Sequence, residues 1–176
     1  MVVSTFREAE RLLRDRGAEE IPHPGGTLLA HLVRVAEVLD SWGADLDIQL
    51  AGLCHAAYGT DGFNQSLLEI TERERLSALI GPRAESLVYL YGSCDRSVVY
   101  PRLDSGSVLF RDRFTGADHQ PADADLRAFM EITVANELDV LSHNVELASQ
   151  HGDALYGFFD RRRDLLSDAA LLALAR

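Results

Sequence analysis

The sequence contains no lysine, because all 17 of its basic residues are arginine. Without lysine there is no amine for Schiff-base catalysis and no ammonium group for a phosphate-binding loop. The patterns G-x-x-x-x-G-K and G-x-G-x-x-G are absent as well. The sequence therefore excludes a P-loop enzyme and a Rossmann dinucleotide-binding fold.

Positive charge and long apolar runs are also scarce. The chain has a formal net charge of −11 and a sequence pI of about 4.9, so a nucleic-acid backbone would be repelled and we expect no nucleic-acid partner. No apolar run approaches the roughly 20 residues that span a bilayer, and the first residues lack the basic start and apolar stretch of a signal peptide. We therefore expect a cytoplasmic protein with no membrane partner.

Cysteine is limited to Cys54 and Cys94, which is too few for a disulfide framework. The chain does have an ample apolar content: 47% of its 176 residues are hydrophobic and 26% are charged. This composition is typical of a folded globular protein, and the length suits one domain over residues 1–176.

The spacing of apolar residues and helix breakers predicts an all-α fold. Thr27 is placed to cap a helix that runs to about Trp42. Asp45 or Asp47 begins the next helix, which ends at Gly59. Both predicted helices carry a histidine, and these two histidines are the main candidates for a functional site.

The second half of the chain is predicted to be helical with one interruption. Residues 95–122 break the helical pattern, and residues 105–122 within them favour a small β-hairpin that turns near Thr115-Gly116. A long helix is then predicted over about 123–150, broken by Gly152, with a last helix over about 153–175. The apolar residues of that last helix belong to the core or to a homodimer contact.

His31 and His55 are both predicted to point into the core. At 100° per residue, His31 falls within the apolar arc of its helix, between Val35 and Val38. His55 ends the run 50–57, which contains no charged residue, and a helix that is apolar all round is buried all round. Each histidine is either a hydrogen-bonded core residue or a ligand for a metal.

The long helix carries a polar trio, Asn136, Asp139 and His143, opposite its main apolar stripe. Apolar residues also flank the trio, so these polar groups need partners in the interior. Together with His31 and His55, Asn136 and His143 are candidate ligands of a divalent metal such as Zn, Mn, Fe or Ni.

Four segments of the chain together resemble the motifs of the HD-domain hydrolases, most closely the alarmone (ppGpp) hydrolase branch. The resemblance covers about residues 21–95 and 125–147, and its motifs lie at 31–36, 50–56, 80–88 and 132–138. It implies an HD-domain-like helical bundle, here with a small inserted β-hairpin, and a pocket in which the two histidines and a late polar residue hold a divalent metal.

The chain departs from the HD pattern at two positions. Ala56 stands where the family has the metal-binding Asp of its His-Asp pair, and Asn136 stands where the last metal-binding Asp is expected. The run 55–60 is instead similar to that of an uncharacterised HD-like family with a His-Ala-x-Tyr-Gly-Thr motif. The resemblance therefore implies a fold and a pocket more than a reaction.

The loop after His55 is expected to line this pocket. Tyr58 and Thr60 offer hydroxyl groups for a substrate, and Asp61 is, with Asp139, a candidate for proton transfer. The alternative is an ordinary helix-ending turn, with Gly59 in the left-handed conformation and Asp61 as a cap.

Two further residues are candidates for substrate binding. His23 lies on a stiff Pro- and Gly-rich turn before the His31 helix and is placed to reach the mouth of the pocket, although a surface histidine is the simpler interpretation. Arg113, in the predicted hairpin, offers a guanidinium for an anionic ligand, or pairs with a nearby Asp.

The sequence supports two functional hypotheses. In the first, the chain is a small-molecule enzyme with a modified HD-type pocket, a metal-dependent hydrolase of phosphoester-like substrates. In the second, the pocket has lost its metal and serves as a ligand-binding or regulatory module, or as a non-hydrolytic acid–base or oxygenase enzyme. The missing carboxylate after His55 favours the second, because neutral ligands leave the full charge of a cation uncompensated in a buried site.

Overall fold

The computed structural model describes residues 2–63 and 65–175, and these residues form an all-α fold with two very short hairpins. In chain order the elements are α1 (Val2–Asp15), β1 (Pro22–His23), β2 (Gly26–Thr27), α2 (Leu28–Ser41), α3 (Leu46–Cys54), a 3₁₀ turn (Ile70–Glu72), α4 (Arg73–Ile80), α5 (Pro82–Ser93), α6 (Arg96–Asp104), β3 (Phe110–Arg111), β4 (Asp118–His119), α7 (Asp123–His143), α8 (Val145–Arg161), a 3₁₀ turn (Arg163–Leu165) and α9 (Asp168–Leu174). No helix among these residues is both long and apolar enough to cross a membrane.

The prediction that residues 95–122 are not helical is wrong for residues 96–104, which form α6, whereas the predicted hairpin that follows is confirmed. Strand β3 pairs antiparallel with β4, and the chain turns through Gly116, whose φ of 72° lies in the left-handed region that favours glycine. A second hairpin, β1 with β2, forms in the Pro- and Gly-rich segment where only a turn was expected. Gly25 and Gly26 both have positive φ values there, which lets the chain reverse within two residues.

Helices α2 and α3 begin where their caps predict. The side chain of Thr27 accepts a hydrogen bond from the backbone N–H of Ala30, and that of Asp45 accepts one from Ile48. Helix α2 packs against α3 and α7, and α3 packs against α5. Helix α3 ends at Cys54 and not at Gly59 as predicted, but residues 50–60 are all buried, so the uncharged run 50–57 lies in the core as its lack of charge predicts.

The prediction of one helix through Gln150 is wrong. Helix α7 ends at His143, and Asn144 has an extended backbone with a φ of −142° and a ψ of 96°. Its side chain accepts a hydrogen bond from the N–H of Leu147 and so caps α8. Gly152, expected to break the helix, is a buried residue inside α8, and the last helix predicted over about 153–175 is divided, since α8 ends at Arg161 and α9 covers Asp168–Leu174.

Candidate functional site

Three histidines from three different elements meet in the core. The rings of His23, on β1, and His31, on α2, are stacked with their centroids 4.1 Å apart. The ring of His55, the residue after α3, meets that of His31 edge-on at 5.3 Å. His31 is 1% exposed and His55 is 3% exposed, which confirms that both point inward. We call these three residues the histidine cluster.

Both ring nitrogens of His31 face oxygen acceptors on α7. Nδ1 lies 2.6 Å from Oδ2 of Asp139, and Nε2 lies 3.0 Å from Oδ1 of Asn136. The amide nitrogen of Asn136 donates to Oε1 of Glu137 at 3.2 Å, which fixes the amide oxygen on the side of His31. This pair of acceptors favours a His31 ring that donates from both nitrogens, which is the imidazolium form.

The carboxylate of Asp139 is the counter-ion of this cation. It also accepts hydrogen bonds from Nε of Arg34 at 2.7 Å and from Nη2 at 2.9 Å. Burial by itself raises the pKa of a carboxyl group, but here the hydrogen bonds from His31 and Arg34 outweigh burial and hold the pKa of Asp139 well below its usual range. Asp139 is thus ionised and fully engaged, so it is not free to transfer a proton.

His55 is the uncharged member on the other side of His31. Its Nδ1–H donates to the backbone oxygen of Gly52 at 2.7 Å, so the lone pair lies on Nε2. None of the hydrogen bonds formed by the described residues involves Nε2, and Nε2 is not one of the fully buried side-chain atoms that lack a partner. Burial, reinforced by the positive charge of His31, lowers the pKa of His55 to about 3.

His23 is also uncharged. Burial first, and then the charge of His31, lower its pKa to about 4. Its Nδ1 is buried without a hydrogen-bond partner among the described residues. A neutral imidazole stacked on an imidazolium is a favourable contact of the cation–π kind, so His23 covers the charge of His31 rather than lying on the surface.

The turn that carries His23 is held in place by Arg34 and His143. Arg34 donates to the backbone oxygens of Pro24 and Gly25. A Cβ on Gly25 would lie 2.7 Å from the ring of His143, so only glycine fits there. His143 itself donates from Nδ1 to the backbone oxygen of Asp139 at 2.8 Å, on the turn side of α7 and not facing His55.

The predicted loop residues have partners away from the histidines. The hydroxyl of Tyr58 donates to Glu85 at 2.9 Å, and Thr60 forms a β-bridge with Phe63. Asp61 accepts from the backbone N–H of Arg96 at 2.8 Å and so caps the start of α6. These contacts agree with the interpretation of the segment as a helix-ending turn.

Arg113 also has its partner away from the histidines, because its Nε donates to the backbone oxygen of Gly92 at 2.7 Å. Its guanidinium lies over the ring of Phe114, 4.4 Å from the ring centre. The structure thus brings together His23, His31, His55, Asn136 and Asp139, and it engages Arg113 in the packing of the hairpin.

Sequence reasoning missed Arg34 and a polar chain that runs outward from Asn136. Oε1 of Glu137 accepts from Asn136 and, at 3.4 Å, from Nη1 of Arg96. Nη2 of Arg96 donates to the hydroxyl of Tyr91 at 3.1 Å, and the Tyr91 ring meets that of His55 at 5.1 Å. The only signal for Arg34 was its position, one turn after His31. No local pattern indicated the outward chain.

The donor set does not fit a metal site of the HD type. Ala56 is buried in the apolar core, Asn136 is neutral, and the one carboxylate in contact with the histidines is bound by Arg34. Among residues 2–63 and 65–175, no group of three or more His, Cys, Asp or Glu side chains is arranged to hold a metal ion. Two imidazoles and an amide leave a divalent charge uncompensated in a buried site.

The low pKa of His55 predicts that the free energy of unfolding depends on pH. The unfolded chain binds a proton at His55 below the ordinary pKa of 6.5, whereas the folded chain does so only near 3. Stability should therefore fall as the pH is lowered, by about 2 kcal/mol between pH 8 and pH 5 from this residue. Urea denaturation across this range measures the loss.

The matched controls for this titration are His55→Gln and the exposed-site variant His119→Gln. The first should lose the part of the pH dependence that comes from His55 and keep the part that comes from His23, whose pKa is lowered to about 4, and the second should keep both parts. An NMR titration of the His55 ring in the wild-type protein gives the folded-state pKa directly. A value near 6.5, or equal slopes in all three proteins, would contradict the prediction.

Comparison with known proteins adds a partial family match but no activity. The chain is similar, over residues 12–96, to a family described as a domain of unknown function (DUF6817). This segment is just under half of the chain. It includes all three members of the histidine cluster and ends before Asn136 and Asp139. No curated protein and no solved structure matches the chain.

Proposed function

We propose that this chain is a metal-free module that binds a small polar molecule at the histidine cluster. The observation that carries the proposal is the unequal state of the two histidines. His31 has an acceptor oxygen at each ring nitrogen, from Asp139 and Asn136, while His55 is neutral and its Nε2 takes part in none of the hydrogen bonds of the described residues. A ligand with an O–H or N–H group satisfies that acceptor.

The state of His55 favours recognition over proton abstraction. A general base works best when its pKa is near the working pH, and the pKa of His55 is lowered to about 3. In the resting protein His55 is therefore a good hydrogen-bond acceptor and a weak base. The nearby charge of His31 strengthens the preference for ligands whose negative end approaches the cluster.

The second candidate is the metal-dependent hydrolase that the HD resemblance implies. One observation favours it: both His31 and His55 are anchored through Nδ1, which is how metal-binding histidines are usually oriented. The charges oppose it, because Arg34 and the cationic His31 already balance Asp139. The two candidates differ in whether Nε2 of His31 is protonated.

Ring NMR of ¹⁵N-histidine-labelled protein, prepared without a His-tag, tests the proposal. We expect protons on both nitrogens of His31 and on Nδ1 alone in His55, with no change when Zn²⁺ is added in equimolar amount. Elemental analysis of the same sample should find far less than one metal ion per chain. A stoichiometric metal that disappears in His55→Ala would overturn the proposal and favour the hydrolase.

Ligand binding is tested by thermal shift with small alcohols, phenols and amides, each paired with its O- or N-methylated counterpart. We expect compounds with a free O–H or N–H to stabilise the wild-type protein and their methylated counterparts to have little effect. His55→Leu should lose the stabilisation, while the exposed-site variant His119→Gln should keep it. Equal shifts in His55→Leu and wild type would contradict a role for His55 in binding.

A further inference from the structure

A second site lies between α6, α7 and α8, where the described residues enclose a cavity of about 520 Å³. This volume is within the range of small-molecule sites. The side toward α8 is largely apolar and includes Leu147, Leu155 and Phe158. The side toward α6 carries Arg96 and Tyr100, which lie one turn apart on the same face of that helix.

The polar side of this cavity has unused hydrogen-bonding capacity. The hydroxyl of Tyr100 is buried and has no partner among the described residues. Arg96 makes one bond of 3.1 Å to Tyr91 and one long bond of 3.4 Å to Glu137, which leaves further donors of its guanidinium without a partner in the described part of the chain. Buried polar groups in folded proteins are normally paired, so the Tyr100 hydroxyl indicates a missing acceptor, and Arg96, whose side chain is 23% exposed, offers further donors on the same face of α6.

The charges around the cavity select an uncharged acceptor. Nη1 of Arg96 lies 3.4 Å from Oε1 of Glu137, and Asp104 is paired with Arg161, so an anionic head group would meet no unpaired positive charge among the described residues of the cavity. A cationic head group would meet Arg96 and would offer no acceptor to Tyr100. A carbonyl or hydroxyl oxygen meets both requirements.

We infer that this cavity binds an uncharged, mainly apolar molecule whose carbonyl or hydroxyl oxygen accepts hydrogen bonds from Tyr100 and Arg96. The site is distinct from the histidine cluster and does not depend on the proposed function. A chain of hydrogen bonds connects the site to the cluster through Glu137, which accepts from both Arg96 and Asn136.

Octan-2-one serves as the probe, with octanoate as its anionic counterpart of equal chain length. We expect saturable binding of octan-2-one to the wild-type protein by NMR titration, and binding of octanoate that is weaker by about tenfold. Tyr100→Phe removes only the hydroxyl and should weaken octan-2-one binding by about tenfold. Its melting temperature should be unchanged or higher, because the hydroxyl has no partner in the described part of the protein.

Two cavity-filling variants of α8 complete the test. Ala154 lines this cavity, whereas Ala148 lines a neighbouring cavity of about 620 Å³ that contains Trp42, the one tryptophan of the chain. Ala154→Phe should abolish binding and Ala148→Phe should preserve it, with no change in the fluorescence of Trp42.

Any one of four results would overturn the inference. The first is that octan-2-one shows no saturable binding, and the second is that Tyr100→Phe binds it as tightly as the wild type. The third is that a folded Ala154→Phe protein still binds it, and the fourth is that the fluorescence of Trp42 changes and saturates together with binding. None of these results bears on His55, so failure here is distinguishable from failure of the proposed function.

Discussion

Replacing Asp139 with alanine should lower the free energy of unfolding by about 3 to 5 kcal/mol. The variant leaves two positive groups, His31 and Arg34, next to each other without the carboxylate that joins them. His31 is 1% exposed, so water cannot replace the lost counter-ion. Urea denaturation near neutral pH, where Asp139 is ionised, measures the effect.

The control for this experiment is Asp160→Ala, which removes an exposed carboxylate paired with Arg163 one turn away. Exposed pairs of this kind contribute about 0 to 1 kcal/mol. The double variant His31→Leu/Asp139→Leu should lose less stability than the sum of its single variants, because it removes both charges together. A loss in Asp139→Ala no larger than in Asp160→Ala would contradict the ionic arrangement described for His31.

Replacing Glu85 with alanine should cost about 3 kcal/mol, the second largest expected effect. Glu85 is 4% exposed and accepts hydrogen bonds from Tyr58 and, through both carboxylate oxygens, from Arg73 at 2.7 and 2.8 Å. It therefore ties the loop after His55 to α4 and α5. Its removal leaves a buried hydroxyl and a half-buried guanidinium without their acceptor.

Tyr58→Phe is the companion variant, because it removes only the hydroxyl that Glu85 accepts. We expect Tyr58→Phe to lower the free energy of unfolding by about 1 kcal/mol and to leave ligand binding at the histidine cluster unchanged. This separates a structural role of Tyr58 from the substrate-binding role that the sequence suggests. If Tyr58→Phe has normal stability but has lost ligand binding, Tyr58 has the substrate-binding role and not the structural one.

Periodicity and capping rules determined a large part of the fold from the sequence. The inward direction of His31 follows from its neighbours Val35 and Val38 on the helix wheel, and the burial of His55 follows from the uncharged run around it. The cap at Thr27 and the hairpin from Phe110 to His119 also follow from local chemistry. All of these depend on residues within one or two turns of each other.

The end of α7 marks the limit of such local rules. Asn144 and Gly152 are both plausible helix breakers, and the chain uses Asn144 as the cap of α8 while it continues the helix through Gly152. The choice depends on the packing of α8 against α7, where a buried glycine allows close approach. A pattern that considers one helix at a time cannot include that contact.

The sequence by itself determined that two histidines lie in the core of an all-α protein and that a carboxylate is missing after His55. Only the tertiary structure decided what these histidines do. Asp139 reaches His31 across 108 positions of the chain and places a carboxylate 2.6 Å from its Nδ1, while burial keeps His55 neutral. Protonation depends on burial and on charges within a few ångströms, and those distances are set by how α2, α3 and α7 pack.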